Sequence, residues 1–409
     1  MTDRLYYHDS FLYDFDAEVR EIADSPRPSL ILDRSAFYPT SGGQIHDTGT
    51  ITAGDAQLKV TEVADAEDGR VVHYFEAERD FDKATLKTGT HIHARIDSFR
   101  RRDHMQQHSG QHVLSAAFIR LYDMHTVSFH MADDYCSIDL DIPTLSKVQV
   151  ESAERLANEI ILENHPVEIR FVTQEEAGKL GLRKPPKTER DDLRIIDIRD
   201  VDVSACGGTH VNQTGQIGCV LLRKFEKVRQ GWRVEFVAGQ RAVSTARKDY
   251  IALTDAAGLF SAHIYDVPLQ ARKSLEEIRS LRKQREHSLE ELASAQATAI
   301  LAETPETNGR KIVTRSFANR EMNFLKLLAQ KMTRSASNVI ALLATTSPQP
   351  SLIFVQSAGQ PFDMSALLNQ AMATLGGKGG GSKDMAQGGF TNAEGLEAAV
   401  KNVAALLSE

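Results

Sequence analysis

The sequence predicts an α+β fold: a small β-barrel-like N-terminal domain, a mixed α+β domain, a helical spacer and a small α/β C-terminal domain. Three observations predict it. Short β-rich runs punctuated by turn residues extend from Leu30 to about Arg95, and apolar periodicity changes to helical spacing near Asp97. A highly charged stretch, Pro268 to Ala302, lacks glycine and proline after its first residue and precedes a region where strands and helices alternate. The expected boundaries are 1–96, 97–245, 246–303 and 304–409.

The first domain is read from strands at Ser29–Leu32, Gly49–Ile51, Gln57–Val60 and Val71–Phe75, separated by Gly, Asp and Pro turn signals. From Arg102 to Leu121 the apolar residues Val113, Leu114, Ala117, Phe118 and Leu121 recur at helical spacing. Strands follow at Thr126–Met131 and Tyr135–Leu140, a helix from about Leu145 to Asn164, and strands at Val167–Val172, Leu193–Ile198, Val220–Phe225 and Trp232–Val237. A polar Lys/Pro-rich loop is expected at Gly178–Asp192. In the spacer, Leu275, Ile278, Leu289 and Leu292 share a heptad seam, but Arg282, Arg285 and Gln296 interrupt it, so a weakly pairing helix is expected. The last region reads as strands Lys311–Thr314, Val339–Thr345 and Leu352–Gln356, helices Asn319–Ser335 and Met364–Leu375, a glycine-rich loop, and a final helix Ala393–Leu407.

The composition, 41% apolar and 25% charged over 409 residues, is that of an ordinary globular protein, with no apolar run of membrane-spanning length. Met1 to Asp16 is acidic and aromatic where a signal peptide needs a basic start and an apolar core, so a cytoplasmic location is expected. Three cysteines, Cys136, Cys206 and Cys219, point to reduced thiols rather than a disulfide framework. A net charge of −8 carries no global nucleic-acid signature, so a polyanion would have to meet a local basic face. Arg100 to Arg102 is one such run, and Arg223, Lys224, Lys227, Arg229 and Arg233 form another.

Two short motifs carry chemistry. His108-Ser-Gly-Gln-His112 sets two imidazoles at i and i+4 on one helical face. Cys206-Gly-Gly-Thr-His210 offers a thiolate and a third imidazole on a glycine-rich turn. Either pair alone is most often just a surface with two polar residues; together they point to one metal site. Three nitrogens and one sulfur suit zinc better than magnesium or calcium, while ligand type alone leaves iron, cobalt and copper open. Wide separation of the pairs in sequence favours a site lining a cleft over a compact zinc finger. Four protein ligands would close a tetrahedron, so the sequence leaves open whether zinc activates water or fixes the substrate's amino group.

These two motifs, preceded by Phe37-Tyr38-Pro39-Thr40-Ser41-Gly42-Gly43-Gln44 with Asp47 and Gly49, resemble the editing domain of alanyl-tRNA synthetase and its freestanding relatives, the AlaX proteins. The resemblance continues through Val211-Asn212-Gln213-Thr214-Gly215 and Gly231 to Gly239, covering roughly residues 1 to 245. The run Gly376 to Gly389 resembles the C-terminal glycine-rich domain of the same synthetase, which is also associated with DHH phosphoesterases. No room before Leu30 is expected for a class II aminoacylation domain, which points to the long type of AlaX. Where family loops often read Pro-Glu-Gly-Gly-Gly-Gln, this chain keeps only the two glycines nearest the glutamine.

The resemblance implies a cytoplasmic, ATP-independent trans-editing hydrolase that deacylates tRNA-Ala carrying serine or, in some members, glycine. It implies one zinc ion per chain on His108, His112, Cys206 and His210, with Gly42 and Gly43 forming a wall of the substrate pocket. Gln44 and Thr126 are its candidate catalytic residues, Thr126 toward the serine hydroxyl, and Lys378 and Lys383 are candidates for tRNA contact. A homodimer through the spacer helix or C-terminal domain is the expected assembly. The alternatives are a non-catalytic tRNA-binding module with a structural zinc, and a metal-dependent hydrolase of small D-aminoacyl or peptide esters that has no need of the tRNA body.

Overall fold

The computed structural model describes residues 1–23, 27–77, 86–183 and 192–408. It divides into two compact units, Met1–Asp255 and Ala256–Glu409.

The first unit opens with a short parallel pair, β1 (Asp3–Arg4) with β4 (Arg34–Ser35), beside a closed six-stranded barrel. The barrel strands are β2 (Asp14–Ala23), β3 (Ser29–Leu32), β5 (Gly49–Ala53), β6 (Ala56–Asp65), β7 (Val71–Ala77) and β8 (His91–Ile96), in the order β2-β3-β7-β6-β5-β8. The four strands read from the sequence are present, and β2 and β8, which it did not single out, close the ring. Both alternate as a half-buried strand must: Phe15, Ala17 and Val19 face inward from β2, and Ile92, Ala94 and Ile96 from β8, between charged neighbours.

Asp97 ends the barrel and starts α1 (Ser98–Tyr122), its carboxylate accepting the amides of Phe99 and Arg100. Asp123, at φ 55°, terminates the helix in the left-handed region. Met105, Val113, Leu114, Ala117 and Phe118 of α1 are buried in one core with a four-stranded sheet, order β14-β15-β10-β9. These strands are β9 (Thr126–Met131), β10 (Cys136–Leu140), β14 (Val220–Val228) and β15 (Gly231–Ala238). Full burial of side chains such as Leu114 and Phe118 stabilises the fold by about 1.5–3 kcal/mol each. The helix α2 (Lys147–Glu163), begun by a Ser146–Gln149 capping box, closes the same core. Beyond it lie β11 (Val167–Thr173), the short α3 (Gln174–Lys179), β12 (Asp192–Ile198) and β13 (Asp202–Ala205), the strands forming an antiparallel three-stranded sheet. Most of the loop expected at Gly178–Asp192 lies outside the described residues. α4 (Gly239–Leu259) follows β15.

Most residues of the two basic runs are engaged with acceptors, while Arg102, Lys227 and Arg229 stay exposed. Arg101 is fully buried, paired with the equally buried Asp47 and donating to the carbonyls of Ser10 and Ala36. Arg100 Nε donates to the carbonyl of His46 at 3.0 Å. In the second run Arg223 pairs with Asp249, Lys224 with Glu226 and Arg233 with Asp139. Sequence adjacency gave these residues a common sign; helical and cross-strand geometry sent them to separate carboxylates.

In the second unit, α5 (Val267–Glu303) is a single 37-residue helix. Its buried positions, Ala293, Ala297 and Leu301, step by four rather than along the heptad seam, and they meet the core shared with α6 (Met322–Ser335). The sheet runs β16-β17-β18-β19-β21-β20, comprising β16 (Glu306–Thr307), β17 (Arg310–Phe317), β18 (Val339–Thr345), β19 (Ser351–Gln356), β20 (Lys378–Gly381) and β21 (Met385–Gly389). β18 and β19 are buried throughout because both faces are covered. Ala341, Leu343, Ile353 and Val355 face the α6 side, while Ile340, Leu342, Leu352 and Phe354 face α7 (Met364–Leu375) and α8 (Leu396–Ser408). The glycine run expected as a loop is instead the β20–β21 hairpin at the sheet edge, registered Lys378 to Gly389 and Gly381 to Ala386. A Cβ on Gly379 would stand 2.5 Å from the Gln387 carbonyl oxygen, so close strand approach accounts for a glycine there.

Candidate metal centre

α1 carries His108 and His112 one turn apart on a buried face, and the turn after β13 brings Cys206 and His210 against them. One ligand atom from each of the four lies within 4.8 Å of every other. Cys206 Sγ is 3.3 Å from His108 Nε2 and 3.4 Å from His210 Nε2. With Zn–N of about 2.0–2.1 Å and Zn–S of about 2.3 Å, tetrahedral ligands sit roughly 3.3–3.6 Å apart, so the two Cys206–histidine spacings match a zinc site and the donor types suit it. The histidines are buried and Cys206 is half-buried.

Each histidine turns Nε2 inward and has its outer Nδ1 held. His108 Nδ1 donates to Gln44 Oε1 at 2.7 Å, His112 Nδ1 to Asp202 Oδ2 at 2.8 Å, and His210 Nδ1 to Ser109 Oγ at 3.1 Å. The supports are themselves fixed. Gln44 Oε1 also accepts the Thr209 amide, and its Nε2 donates to Thr209 Oγ1 at 2.9 Å. Arg183 Nε and Ser204 Oγ donate to Asp202, and the Val211 amide donates to Ser109 Oγ. Such partners set tautomer and ring orientation, the usual support of histidine ligands to a metal.

For Cys206 and His210 the electrostatics favour the ligating forms. Burial alone would push the Cys206 thiol up, but the His108 and His210 rings hold it well below its ordinary range, toward thiolate. Burial drives His210 down to about 3, keeping it neutral with its ring nitrogen free to bind. For His112, burial lowers the pKa, but the hydrogen bond to Asp202 and the interactions with Cys206 together outweigh it and raise it. Burial would raise Asp202, yet His112 and Arg183 keep it far below the usual carboxylate range.

Two glycines let the parts approach. A Cβ at Gly208 would fall 2.2 Å from His108 Cε1, so any other residue would displace a ring of the cluster. Gly43, at φ +88°, gives its carbonyl to the Met131 amide at 2.9 Å, and a Cβ there would meet the Phe129 carbonyl oxygen at 2.4 Å. Gly42 and Gly43 are exposed, and the neighbouring Gln44 is wholly buried beneath them. Gln44 therefore stands behind His108 as its support, not at an open surface.

Thr126 is buried on β9, and its Oγ1 lies 2.6 Å from Ser115 Oγ, which accepts Gln111 Nε2 at 2.8 Å. A bulge at Val127 shifts the register so that Ser128 pairs with Asp139 but Thr126 with Leu140. The bulge turns Thr126 onto the face that carries Phe129, whose ring stands 5.3 Å from that of His108. Lys378 and Lys383 are exposed in the second unit, on β20 and in the turn after it. The sequence reading missed Asp202, Ser109 and Ser115. Nothing in local spacing marks a carboxylate whose partner lies ninety residues away.

Residues 3–100 match the family tRNA synthetases class II (A), residues 193–234 the threonyl and alanyl tRNA synthetase second additional domain, and residues 308–409 the DHHA1 domain. The chain is 31% identical over 394 residues to the alanyl-tRNA editing protein AlaX-L of Pyrococcus horikoshii, covering 95% of this chain and 94% of that one. It is 31% identical to the alanine–tRNA ligase of Archaeoglobus fulgidus and 30% to that of Methanothrix thermoacetophila. Those matches take in 95% and 98% of this chain but only 42% and 44% of the ligases. Similar nearly end to end to the one relative and to less than half of the others, the chain belongs to the AlaX-L family of alanyl-tRNA editing proteins.

Proposed function

We propose that this chain is a trans-editing hydrolase that removes serine from mischarged tRNA-Ala, with one zinc ion held by His108, His112, Cys206 and His210. The observation that carries the reading is the convergence of three Nε2 atoms and one Sγ while every outer Nδ1 is already bound. A structural accident would not orient three rings alike. When bound, zinc supplies a localised positive charge able to polarise a water or to hold an α-amino group.

The bond cleaved is the ester between the aminoacyl carboxyl and the terminal ribose. Water adds its oxygen to the carbonyl carbon, the ribose oxygen departs with a proton, and the free amino acid and tRNA result without ATP. The ester is already activated, so orientation of water and stabilisation of the developing oxyanion suffice. Gln44 serves by keeping His108 in place, and Gly42 and Gly43 allow the pocket wall to reach the 3′ end without side-chain obstruction. Thr126 hydrogen-bonds the serine hydroxyl. A pocket that satisfies this hydroxyl leaves polar groups unpaired around alanine, which spares the correct product. Glycyl-tRNA-Ala is the second substrate. Lys378 and Lys383 meet the tRNA backbone, and exposed Leu275, Ile278 and Leu281 of α5 suit pairing with a second copy. The reaction belongs where tRNA is charged, in the cytoplasm.

The complete set of four protein ligands favours one second reading, a tRNA-binding module whose zinc is structural. Serine release from purified seryl-tRNA-Ala, measured alongside metal content, separates the two. Zinc-loaded protein that binds tRNA-Ala but releases no serine overturns the hydrolase.

A further inference from the structure

Thr126, Ser115 and Gln111 form a buried chain of hydrogen-bonded side chains. Gln111, Ser115 and Thr126 are 5%, 0% and 3% exposed. Gln111 and Ser115 stand one turn apart on α1, three residues after His108 and His112 respectively, which places them next to the helix face that carries the metal cluster. Gln111 Nε2 can only donate, and it donates to Ser115 Oγ at 2.8 Å. Ser115 has a single hydroxyl proton, and its other neighbour is Thr126 Oγ1 at 2.6 Å. Either hydroxyl can donate across that contact; with the amide on one Ser115 lone pair, one order puts the Ser115 proton on Thr126 Oγ1. In that order Thr126 is an acceptor on its α1 side, and its own proton points away from the helix.

From this we infer that Ser115, set by Gln111, is a positioning residue that makes the Thr126 hydroxyl an obligate hydrogen-bond donor toward the substrate. The inference rests on the proposed role of Thr126 and names what the pocket selects: a side chain presenting an acceptor oxygen at the serine γ position. The Val127 bulge supports this geometry, because a regular strand would turn Thr126 away from the face shared with Phe129 and the His108 ring. A lone threonine hydroxyl rotates among several partners. One whose acceptor side is already filled is pre-set for donation, and this removes part of the ordering cost at the moment of binding.

The test compares deacylation of seryl-tRNA-Ala with that of alanyl-tRNA-Ala, the internal reference without a hydroxyl, in full-length protein with zinc content measured for each variant. Ser115→Ala is expected to lower the seryl-to-alanyl ratio of kcat/KM by about three- to ten-fold. Gln111→Met removes the donor that sets the order and lowers the same ratio by a smaller factor. In a Thr126→Val background, Ser115→Ala adds no further loss, because its effect passes through the missing hydroxyl. An unchanged ratio in both single variants, equal losses on both substrates with metal retained, or additive losses in the double variant overturn the relay and leave the editing function standing. Should Ser115→Ala fail to fold, Gln111→Met alone decides by the same ratio. Wild-type protein that is zinc-loaded but hydrolyses neither substrate overturns the proposed function and the relay with it.

Discussion

The outer nitrogen of His112 donates to Asp202 across 2.8 Å, and Asp202 is the only one of the three histidine supports that bears a formal charge. Arg183 and Ser204 hold that carboxylate in turn, so the most strongly polarised ring of the cluster is also the most elaborately braced.

Asp202→Asn keeps an acceptor for His112 but removes the charge. Loss of such support typically weakens metal binding about 10–100-fold. Competition with a chromophoric zinc chelator measures it, and an affinity equal to that of the wild type would show that Asp202 only packs the turn.

Asp47→Ala strands the buried Arg101 guanidinium and removes the acceptor for the Tyr38 amide. Breaking a buried pair from one side costs about 3–5 kcal/mol. The urea midpoint of unfolding should fall accordingly, with little change in the slope; a loss within the range of a surface substitution would mean that water or local rearrangement replaces the pair.

His73 gives the barrel a pH-dependent component. It is wholly buried, Nδ1 donating to the Leu30 carbonyl at 3.2 Å and Nε2 accepting from Ser35 Oγ at 2.8 Å. Burial pushes its pKa down to about 4, against about 6.5 in an unfolded chain. Between those values the unfolded chain binds the extra proton, so this part of the stability is fully present above about pH 6.5 and is lost as pH falls toward about 4. His73→Gln should reduce the slope of stability against pH in that window by up to about 1.4 kcal/mol per unit. Parallel wild-type and variant slopes between pH 5 and pH 6.5 would refute this.

Thr126→Val preserves shape and deletes the hydroxyl. Seryl-tRNA-Ala hydrolysis should slow by roughly three- to thirty-fold, while glycyl- and alanyl-tRNA-Ala rates stay within error. Equal losses on serine and glycine substrates, with zinc retained, would make Thr126 a framework residue.

Replacing Lys378 and Lys383 together by alanine should raise KM for aminoacyl-tRNA and flatten its dependence on salt, with kcat preserved, since each phosphate contact contributes roughly one unit to the salt slope. A fall in kcat at unchanged KM would argue against a tRNA contact.

Much of this was legible in the sequence because it depended on local pattern. The barrel strands at Leu30, Ile51, Leu58 and Val71 and the α1 periodicity followed from residue type and spacing, and the grouping of His108, His112, Cys206 and His210 from their spacing together with the family resemblance. What escaped had long-range causes. Arg101 reads as one of three surface arginines until helix geometry aims it at Asp47, 54 positions earlier. The glycine run looks like a loop because glycine disfavours strands in general, yet here close approach of β20 to β21 excludes a Cβ. Ser115 reads as an ordinary helix residue until the bulge at Val127 sets Thr126 against it.

The order in which the cluster's parts occur along the chain bears on its birth at the ribosome. Gln44 and α1 emerge early, so His108 can find its support at once, whereas His112 must wait for Asp202 and the thiolate for the turn that follows. A nascent chain showing only α1 offers two imidazoles with one of them unbraced, a weak and promiscuous metal trap. The full donor set exists only once the segment from Asp202 to His210 has been made and can dock on α1. A chain stalled before Cys206 carries two of the four donors, both on α1.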